Sequence, residues 1–546
     1  MTLIYPDLQR LSTSLACVRR RSGVATAVAA ALGVLAAPAA WAQATGGASA
    51  ADIQALQQQI QQLQRQLDEL QRRQQAQAQA TPPPPSAETQ VVVTKKPTAP
   101  VVSAGPVNLT FGGFAALEGV YRDHNEVADI GSNYNTAIPY PYQPNDHISE
   151  FRLSARQSRF SMLAQPASVG PGMTAEAYLE TDFLSAGTSS NSAESNSYTL
   201  RMRHFYGVLK NPDAGWYLLA GQTWSFATLY PNAQLAPRSE RIPQTIDAQY
   251  VVGFNWDRNP QIRLVKTWGK TAALGISFES PQAAFYTGCS GVATPAPPAC
   301  GSVSAIVTNP GGSLLNSGAN YSIDFAPDMI IKFAFDPGYG HFEVYGLGRG
   351  FRDRSPGTAA GTNNTTYAGS VGAGFILPLG SMLDFQASGL FGTGNGRYGS
   401  AQLPDATLRP DGTVASIHED QFLGGFLFKP TPLWTFYLYG GLEEEDKAAY
   451  TNAAGTAGIG YGSPLYNNSG CLLLTGTAAT CIANTKWVEQ FTGGTWWKVY
   501  QGDIGNFQIG LQYSYTKRKA FTGVGGAPSA DINMGFFSFR YYPYQK

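Results

Sequence analysis

Charged side chains occur at alternate positions, with one tyrosine among them, in two neighbouring stretches of this 546-residue chain. The first stretch carries carboxylates and the second carries arginines, namely Glu176, Glu180 and Asp182, then Arg201 and Arg203. A guanidinium can hold a carboxylate through a two-pronged hydrogen bond. These residue types therefore suggest the binding of small anions from water rather than the making or breaking of bonds.

Histidine is scarce, which restricts catalytic and metal chemistry. The chain contains five histidines, which are His124, His147, His204, His341 and His418. The sequence has no nucleophile motif, phosphate-binding loop or metal-ligand spacing. We therefore predict that the protein is not an enzyme and that it uses no cofactor and no metal.

Four cysteines lie beyond the N-terminal segment, in two close pairs. They are Cys289 and Cys300, then Cys471 and Cys481. An even number of cysteines in an exported chain suggests disulfides, and we expect local pairing among the three possible connectivities. The spacing is not C-x-x-C and no histidine is adjacent, which argues against zinc.

The composition limits the elements that can position these side chains. Only 14% of the residues are charged, the formal net charge is zero, and 60 residues are glycine. These values exclude a disordered chain and a nucleic-acid-binding protein. The mean hydropathy is −0.16, and no apolar run of about 18 residues or more follows residue 42, which excludes a bundle of membrane helices. An all-β protein rich in Gly, Tyr and Phe fits these properties.

The first 106 residues carry three successive signals. Residues 1–42 join a block of three arginines to a small apolar run and an Ala-x-Ala cleavage pattern, which predicts a secretory signal peptide, with a membrane anchor as the alternative. Residues 43–80 contain a short heptad seam, which predicts a periplasmic coiled coil or, alternatively, a lone amphipathic helix. Residues 81–106 form a proline-rich linker. The seam residues are Ile53, Leu56, Ile60, Leu63, Leu67 and Leu70.

From residue 107 to residue 546 the hydrophobic pattern has a period of two, which predicts strands with one apolar and one polar face. Many of these strands have about 10 to 14 residues, enough to cross a bilayer when tilted, and aromatic residues gather near their ends. Every backbone polar group must be paired in lipid, so the sheet must close. The sequence therefore predicts an antiparallel transmembrane β-barrel with an aqueous lumen.

The connections set the strand number at sixteen and place both ends of the barrel on the short-turn side, in the periplasm. Seven short turns lie at 165–172, 211–215, 268–272, 336–340, 377–381, 429–434 and 502–506. Eight long polar segments lie at 124–147, 185–197, 226–257, 281–326, 354–365, 396–415, 446–486 and 520–530.

Five stretches resemble the DcaP-like outer-membrane porins. They are FRLSARQSRF (151–160), AEAYLETDF (175–183), LRMRHFYGVLKN (200–211), LLAGQTWS (218–225) and NPQIR (259–263). The resemblance implies a trimeric sixteen-stranded porin with a periplasmic coiled coil, set in outer-membrane lipid and lipopolysaccharide. It also implies passage of small negatively charged solutes such as dicarboxylates. The heptad seam by itself favours two helices and leaves the oligomer number open.

Solute selection in a porin depends on the side chains of the narrowest part of the lumen. We expect segment 226–257 to fold inward and an acidic wall of Glu176, Glu180 and Asp182 to face a basic wall across the lumen. The arginines predicted to line the pore and select anions are Arg152, Arg156, Arg201, Arg203, Arg238, Arg241 and Arg263. The alternative is that these arginines are only solvated, or are paired with the carboxylates as struts of the wall.

Alternation along the strands gives two further expectations. It places His204 and Tyr206 on the lipid-facing side of their strand. It also requires a bulge if Arg152, Arg156 and Arg159 are all to face water. The function that the sequence predicts is passive diffusion of small hydrophilic solutes across a bacterial outer membrane. A secreted or surface β-structural adhesin without a pore is the alternative.

Overall fold

The structure is a computed structural model that describes residues 91–92, 101–166, 169–187, 198–288, 303–310, 319–355 and 360–544. The described residues belong to one compact unit, Glu88–Lys546. The predicted signal peptide and coiled coil lie outside the described residues, and so does most of the predicted linker.

Sixteen strands form the main sheet of this unit. In chain order they are β1 (Val107–Arg122), β2 (Glu150–Ser154 continued by Arg159–Pro166), β3 (Thr174–Asp182), β4 (Arg201–Asn211), β5 (Trp216–Trp224), β6 (Arg258–Trp268), β7 (Ala272–Glu279), β8 (Asp328–Phe335), β9 (His341–Ser355), β10 (Thr362–Pro378), β11 (Leu383–Thr393), β12 (His418–Thr431), β13 (Trp434–Glu445), β14 (Thr485–Gly502), β15 (Gly505–Ala520) and β16 (Ser529–Tyr542).

Each strand pairs antiparallel with the next, and β16 pairs with β1, so the sheet closes on itself. Phe537 of β16 lies opposite Gly119 of β1 at this closure. The predicted sixteen-stranded antiparallel barrel is confirmed. The seven short turns and the eight long segments fall between the strands in the order that the sequence predicted.

The other elements are short. Val91–Val92 and Val101–Ala104 precede β1, and Val101–Ala104 pairs with the first residues of β1. Small sheets and 3₁₀ helices occur in the long segments: Phe285–Tyr286 with Ala406–Leu408 and Val414–Ser416, Thr308–Pro310 with Asn320–Ser322, Ala448–Thr451 with Gly458–Tyr461, and the helices Pro144–His147, Gly396–Tyr398 and Ala478–Thr480. Among the described residues, no helix has the length and apolar character needed to cross a membrane.

The outer face of the barrel is apolar because alternate side chains of each strand point outward. On β15, Leu511 and Tyr513 are exposed on the outside, whereas Gln512 and Ser514 are buried on the inside. Aromatic side chains gather at the short-turn end, where Trp434 of β13 stacks on a tryptophan of β14 with ring centroids 5.2 Å apart. This arrangement is typical of a barrel that sits in lipid.

The inside of the barrel is more filled than the sequence predicted. Four long segments, which we name L1 (123–149), L3 (225–257), L6 (394–417) and L7 (446–484), place apolar side chains against the inner wall and form two packed clusters with it. Barrel width alone predicts an aqueous lumen. The expectation of a lumen without a packed core is therefore wrong for much of the interior, because the long segments bring their own hydrophobic residues into it.

Candidate functional site

Acidic residues of β3 and basic residues of β4 lie side by side on the inner wall. Asp182 is opposite Arg201 in the strand register, and Arg201 Nη2 is 2.7 Å from Asp182 Oδ2. Arg203 pairs with both Asp182 and Glu180. The two sets of charges do not face each other across the lumen. They occupy neighbouring strands within hydrogen-bond distance, which agrees with the alternative that the arginines pair with carboxylates as struts of the wall.

The same pattern continues toward the short-turn end of the barrel. Lys210 Nζ lies 2.9 Å from Glu176 Oε2, and Arg238 of L3 approaches the other oxygen of Glu176 at 3.1 Å. Tyr178 Oη donates a hydrogen bond of 2.9 Å to Glu180 Oε2. A continuous row of charged and polar groups therefore runs along the wall. We name this row the charge ladder: Glu176, Tyr178, Glu180 and Asp182 of β3 with Arg201, Arg203 and Lys210 of β4.

A β-bulge in β4 gives the ladder an additional inward group. The register shifts so that Arg203 and His204 both point inward, and the His204 ring lies 5.7 Å from the Trp224 ring. Tyr206 is also buried inside, while Phe205 takes the exposed outward position. The expectation that His204 and Tyr206 face lipid is therefore wrong, because one extra residue reverses the alternation.

A second irregularity, in β2, brings Arg159 to the ladder. The strand is interrupted between Ser154 and Arg159, and beyond the interruption Arg159 lies opposite Phe114 of β1. The sequence pattern required a bulge here, and the structure has a break in the strand at residues 155–158 instead. Arg159 Nη1 is 3.9 Å from Glu180 Oε1, and the side chain keeps 18% of its surface exposed.

Arg258, the first residue of β6, completes the group. Its guanidinium lies 5.1 Å from the ring centre of Trp224 and 5.6 Å from that of Trp256. Its Nη1 atom is buried without a hydrogen-bond partner, and it forms no ion pair with any described residue. Arg258 and Arg159 were missing from the predicted site. The signal that could have found Arg258 is its position directly after the inward-folding segment.

L3 crosses the inside of the barrel and contacts distant parts of the wall. Arg241 Nη2 lies 3.0 Å from Asp384 of β11. The backbone N–H of Gly253 donates to Glu443 of β13 at 2.7 Å. This agrees with the expectation that segment 226–257 folds inward.

The contact between L3 and β13 leaves no room for a side chain. A Cβ atom at Gly441 of β13 would lie 1.7 Å from the carbonyl oxygen of Val252. Real atoms cannot approach so closely, so a glycine is required for L3 to pack on the wall.

Burial changes the acidity of two carboxyls in L3. Burial raises the pKa of Asp247 to about 6, although a hydrogen bond from Gln512 Nε2 of 2.9 Å acts in the opposite direction. Burial also raises the pKa of Glu240, partly opposed by the charge of Arg263. The neutral forms of both carboxyls are therefore favoured inside the barrel more than they would be in water.

Two of the buried cations hold L3 in place. Arg263 is fully buried and donates a hydrogen bond to Tyr230 Oη. It also donates a hydrogen bond of 2.7 Å to the carbonyl oxygen of Trp224. Lys332 Nζ donates to the carbonyl oxygen of Thr228 at 2.8 Å and pairs with Glu343. The structure thus places Arg263, which was predicted to line the pore, as a strut beneath L3 that no solute can touch.

Two predicted arginines lie closer to the long-loop end. Arg152 lies 3.5 Å from Glu150 and keeps 48% of its side chain exposed. Arg156 pairs with Asp129 of L1 at 3.1 Å, and its guanidinium stacks 3.8 Å from the Tyr198 ring centre. Arg152 and Arg156 therefore pair with carboxylates that do not belong to the charge ladder.

Cys471 and Cys481 form a disulfide in L7, which confirms the predicted local pairing for this pair. Cys289 and Cys300 lie outside the described residues. Within the described part of the chain, no group of three or more His, Cys, Asp or Glu side chains is placed to hold a metal ion.

No protein-family model matches the chain, and no curated protein matches it. Among solved structures, the chain is similar to the outer membrane channel DcaP of Acinetobacter baumannii, with 16% sequence identity, a TM-score of 0.54, and coverage of 81% of this chain and 98% of that one. It is also similar to the anion-selective porin from Comamonas acidovorans, with 12% identity, a TM-score of 0.41, and coverage of 80% of this chain and 99% of that one. The likeness to OprB of Pseudomonas putida has 9% identity, a TM-score of 0.42, and coverage of 79% of this chain and 94% of that one. The likeness to DcaP shows that the chain has the fold of that outer-membrane channel.

Proposed function

We propose that this chain is a DcaP-like porin, through which small hydrophilic solutes diffuse passively across a bacterial outer membrane, with a preference for organic anions such as dicarboxylates. The closed barrel supports this proposal because its apolar outer face suits lipid and its inner wall carries charged groups that suit water and ions. The proposal involves no catalysed reaction and no cofactor.

The anion preference depends on an imbalance of charge at the ladder. Three guanidinium groups surround two carboxylates there, because Arg159 joins the ladder residues Arg201 and Arg203 around Glu180 and Asp182. An excess of positive charge in a confined polar space attracts anions and repels cations. This excess is the observation that carries the proposed selectivity.

Cations inside the barrel are accessible to a solute. The side chains of Arg201 and Arg238 keep 24% and 29% of their surface exposed inside the barrel. Lys210, whose side chain keeps 30% of its surface exposed, lies nearest the short-turn end of the charge ladder, and Arg201 lies at its long-loop end. A carboxylate can move along a row of cations by exchanging its hydrogen bonds from one group to the next.

The assembly belongs to the same proposal. We expect a homotrimer in outer-membrane lipid and lipopolysaccharide, with residues 43–80 forming a coiled coil in the periplasm. The apolar outer face and the sequence resemblance support the location, while the short heptad seam supports self-association without fixing its number.

Reversal potentials in planar bilayers test the proposed selectivity. In a gradient of potassium chloride, the wild-type protein should show a reversal potential on the anion-selective side. The double variant Arg159→Gln with Arg201→Gln should move it toward cation selectivity. The matched control Lys517→Gln removes a positive charge from the outer face of β15 and should leave it unchanged. Equal reversal potentials for all three proteins would contradict the proposed role of the ladder.

One observation favours a second function. The packed clusters formed by L1, L3, L6 and L7 fill much of the interior, as they would in a surface β-barrel that adheres or supports without passing solutes. Such a protein would also require detergent for extraction, so solubility cannot separate the two functions. The presence or absence of ion currents across a bilayer separates them.

A further inference from the structure

A cavity of about 430 Å³ opens among the long segments, away from the charge ladder. Its wall is formed by L1, L6, L7 and the segment between β7 and β8, and its floor includes Arg518 of β15. The volume falls within the range of about 300 to 1,000 Å³ that is usual for small-molecule sites. Its position is the outer mouth of the barrel, where a solute from outside would arrive first.

Arg518 supplies a positive charge, and the carboxylate that acts on it, Glu126, lies beyond ion-pair distance and is held by Arg122. Arg518 keeps only 6% of its surface exposed, yet it forms no ion pair with any described residue. Its guanidinium donates to the carbonyl oxygen of Asn135 and lies 4.4 Å from the ring centre of Tyr140. Its Nε atom is buried without a hydrogen-bond partner. A buried guanidinium without an anion is costly, and an arriving carboxylate would remove that cost.

The walls around Arg518 are aromatic. Five rings line the cavity: Tyr140, Tyr142, Phe285, Tyr286 and Tyr461. The Tyr286 and Tyr461 rings meet edge to face with their centroids 5.0 Å apart. The Tyr140 hydroxyl is a second buried polar atom without a hydrogen-bond partner. Such walls favour a flat apolar body that stacks on rings, together with one polar end.

Hydrogen bonds and a disulfide hold parts of the cavity wall in place. Asn135 Nδ2 donates to the carbonyl oxygen of Gln402 at 3.3 Å, which joins L1 to L6. Thr485 Oγ1 donates to the carbonyl oxygen of Asn135 at 3.1 Å, which joins L1 to the start of β14. The disulfide of Cys481 fixes the part of L7 that forms the wall. The cavity therefore exists before any ligand arrives, which lowers the entropic cost of binding.

We propose that this cavity is a capture site for aromatic monocarboxylates, with the carboxylate on Arg518 and Tyr140 and the ring between the aromatic walls. Arg518 is the one charged side chain among the described residues that line the cavity, which matches one carboxylate, and the rings match a planar body. The site goes beyond the proposed diffusion function, since it would bind its ligand whether or not the barrel conducts.

Saturation-transfer NMR on the detergent-solubilised full chain tests the site, with benzoate as the probe. Benzoate should bind saturably, and benzamide, which has the same ring without the charge, should not. Cyclohexanecarboxylate, which has the charge without the flat ring, should bind more weakly. Equal binding of benzoate and benzamide would overturn the assignment of Arg518 as the anion partner.

Variants separate the site from general effects of charge. Arg518→Gln should weaken benzoate binding about tenfold or more, as the loss of a charge-assisted hydrogen bond predicts. Lys519→Gln removes the same charge from the next position on β15, which points to the other face, and should bind benzoate like the wild type.

A second variant tests the cavity without touching the charge. Thr136→Trp should fill the cavity from its exposed rim and abolish benzoate binding. Heat-modifiable gel mobility reports whether each barrel is folded. A folded Arg518→Gln protein and a folded Thr136→Trp protein that both bind benzoate like the wild type would refute the site. The bilayer reversal potentials of both variants should match that of the wild type. A failure of the proposed cavity site is therefore distinguishable from a failure of the proposed porin function.

Discussion

Arg203 Nη1 lies 2.9 Å from Asp182 Oδ2, and the two side chains keep only 1% and 0% of their surface exposed. The pair is also joined to Arg201 and Glu180, so it forms the centre of the charge ladder. Burial of this kind makes the pair a structural part of the wall, whereas its more exposed neighbours remain available to a solute.

The first prediction concerns the stability that this pair contributes. Arg203→Ala leaves Asp182 and Glu180 buried with fewer partners, so we expect the free energy of unfolding to fall by about 3 kcal/mol. Arg152→Ala, which removes a half-exposed arginine from β2, should change it by less than about 0.5 kcal/mol. Denaturant titration of the barrel in micelles measures both. Equal losses for the two variants would contradict the assignment of Arg203 as a strut.

The second prediction concerns the contact between L3 and β13. Gly441→Ala places a Cβ atom where the carbonyl oxygen of Val252 lies, so L3 must move away from the wall and the ionic current should rise. Gly440→Ala is the matched control, because a Cβ atom there meets nothing within 4 Å. Single-channel recording measures both. An unchanged current in a folded Gly441→Ala protein would show that L3 does not narrow the passage.

The third prediction concerns pH. The pKa of Asp247 is raised above its ordinary value to about 6 by burial. A raised pKa means that the folded state favours the protonated form, so this group stabilises L3 fully below about pH 4 and the stabilisation is lost as the pH rises through about 6. Amide hydrogen exchange in residues 245–252 should therefore be slower at pH 5 than at pH 7.5 after correction for the intrinsic rate.

Asp247→Asn provides the control for the pH effect. The amide keeps the shape of the carboxyl and does not titrate, so the corrected exchange rates at the two pH values should become equal. A difference that persists in the variant would assign the pH dependence to another group, with Glu240 next because burial also raises its pKa.

The fourth prediction concerns the disulfide of L7. Cys471 and Cys481 are 10 residues apart, and closing a loop of that size removes about 2 to 3 kcal/mol of unfolded-state entropy. Reduction should speed hydrogen exchange in residues 477–485, which adjoin the cavity near Arg518, and should leave the exchange rates of strands β3 and β4 unchanged. Equal acceleration in both regions would show that the disulfide stabilises the whole barrel rather than its mouth.

Alternation along the strands predicted the barrel closely because the side-chain period of a strand is fixed at two. The polar inner face of β15 follows from it, and the short turn predicted at 336–340 agrees with the start of β9 at His341. Alternation gives the wrong face for His204, since a bulge is a local insertion that the period does not reveal.

The site was harder to predict than the barrel. Arg201 and Arg203 were found because they share the polar face of one strand. The carboxylates were also found, but the sequence could not decide whether the two sets face each other across the lumen or pair on neighbouring strands. The position of Arg263 beneath Tyr230 depends on how L3 folds across the lumen, which no local pattern encodes.

The direct test of the central claim is a bilayer recording of the purified wild-type protein with sodium benzoate or sodium succinate as the only salt. With that salt more concentrated on one side of the bilayer, we expect stepwise currents and a reversal potential that shows the organic anion crossing more readily than sodium. A folded, inserted protein that passes no current, or that passes sodium in preference to the anion, would contradict it.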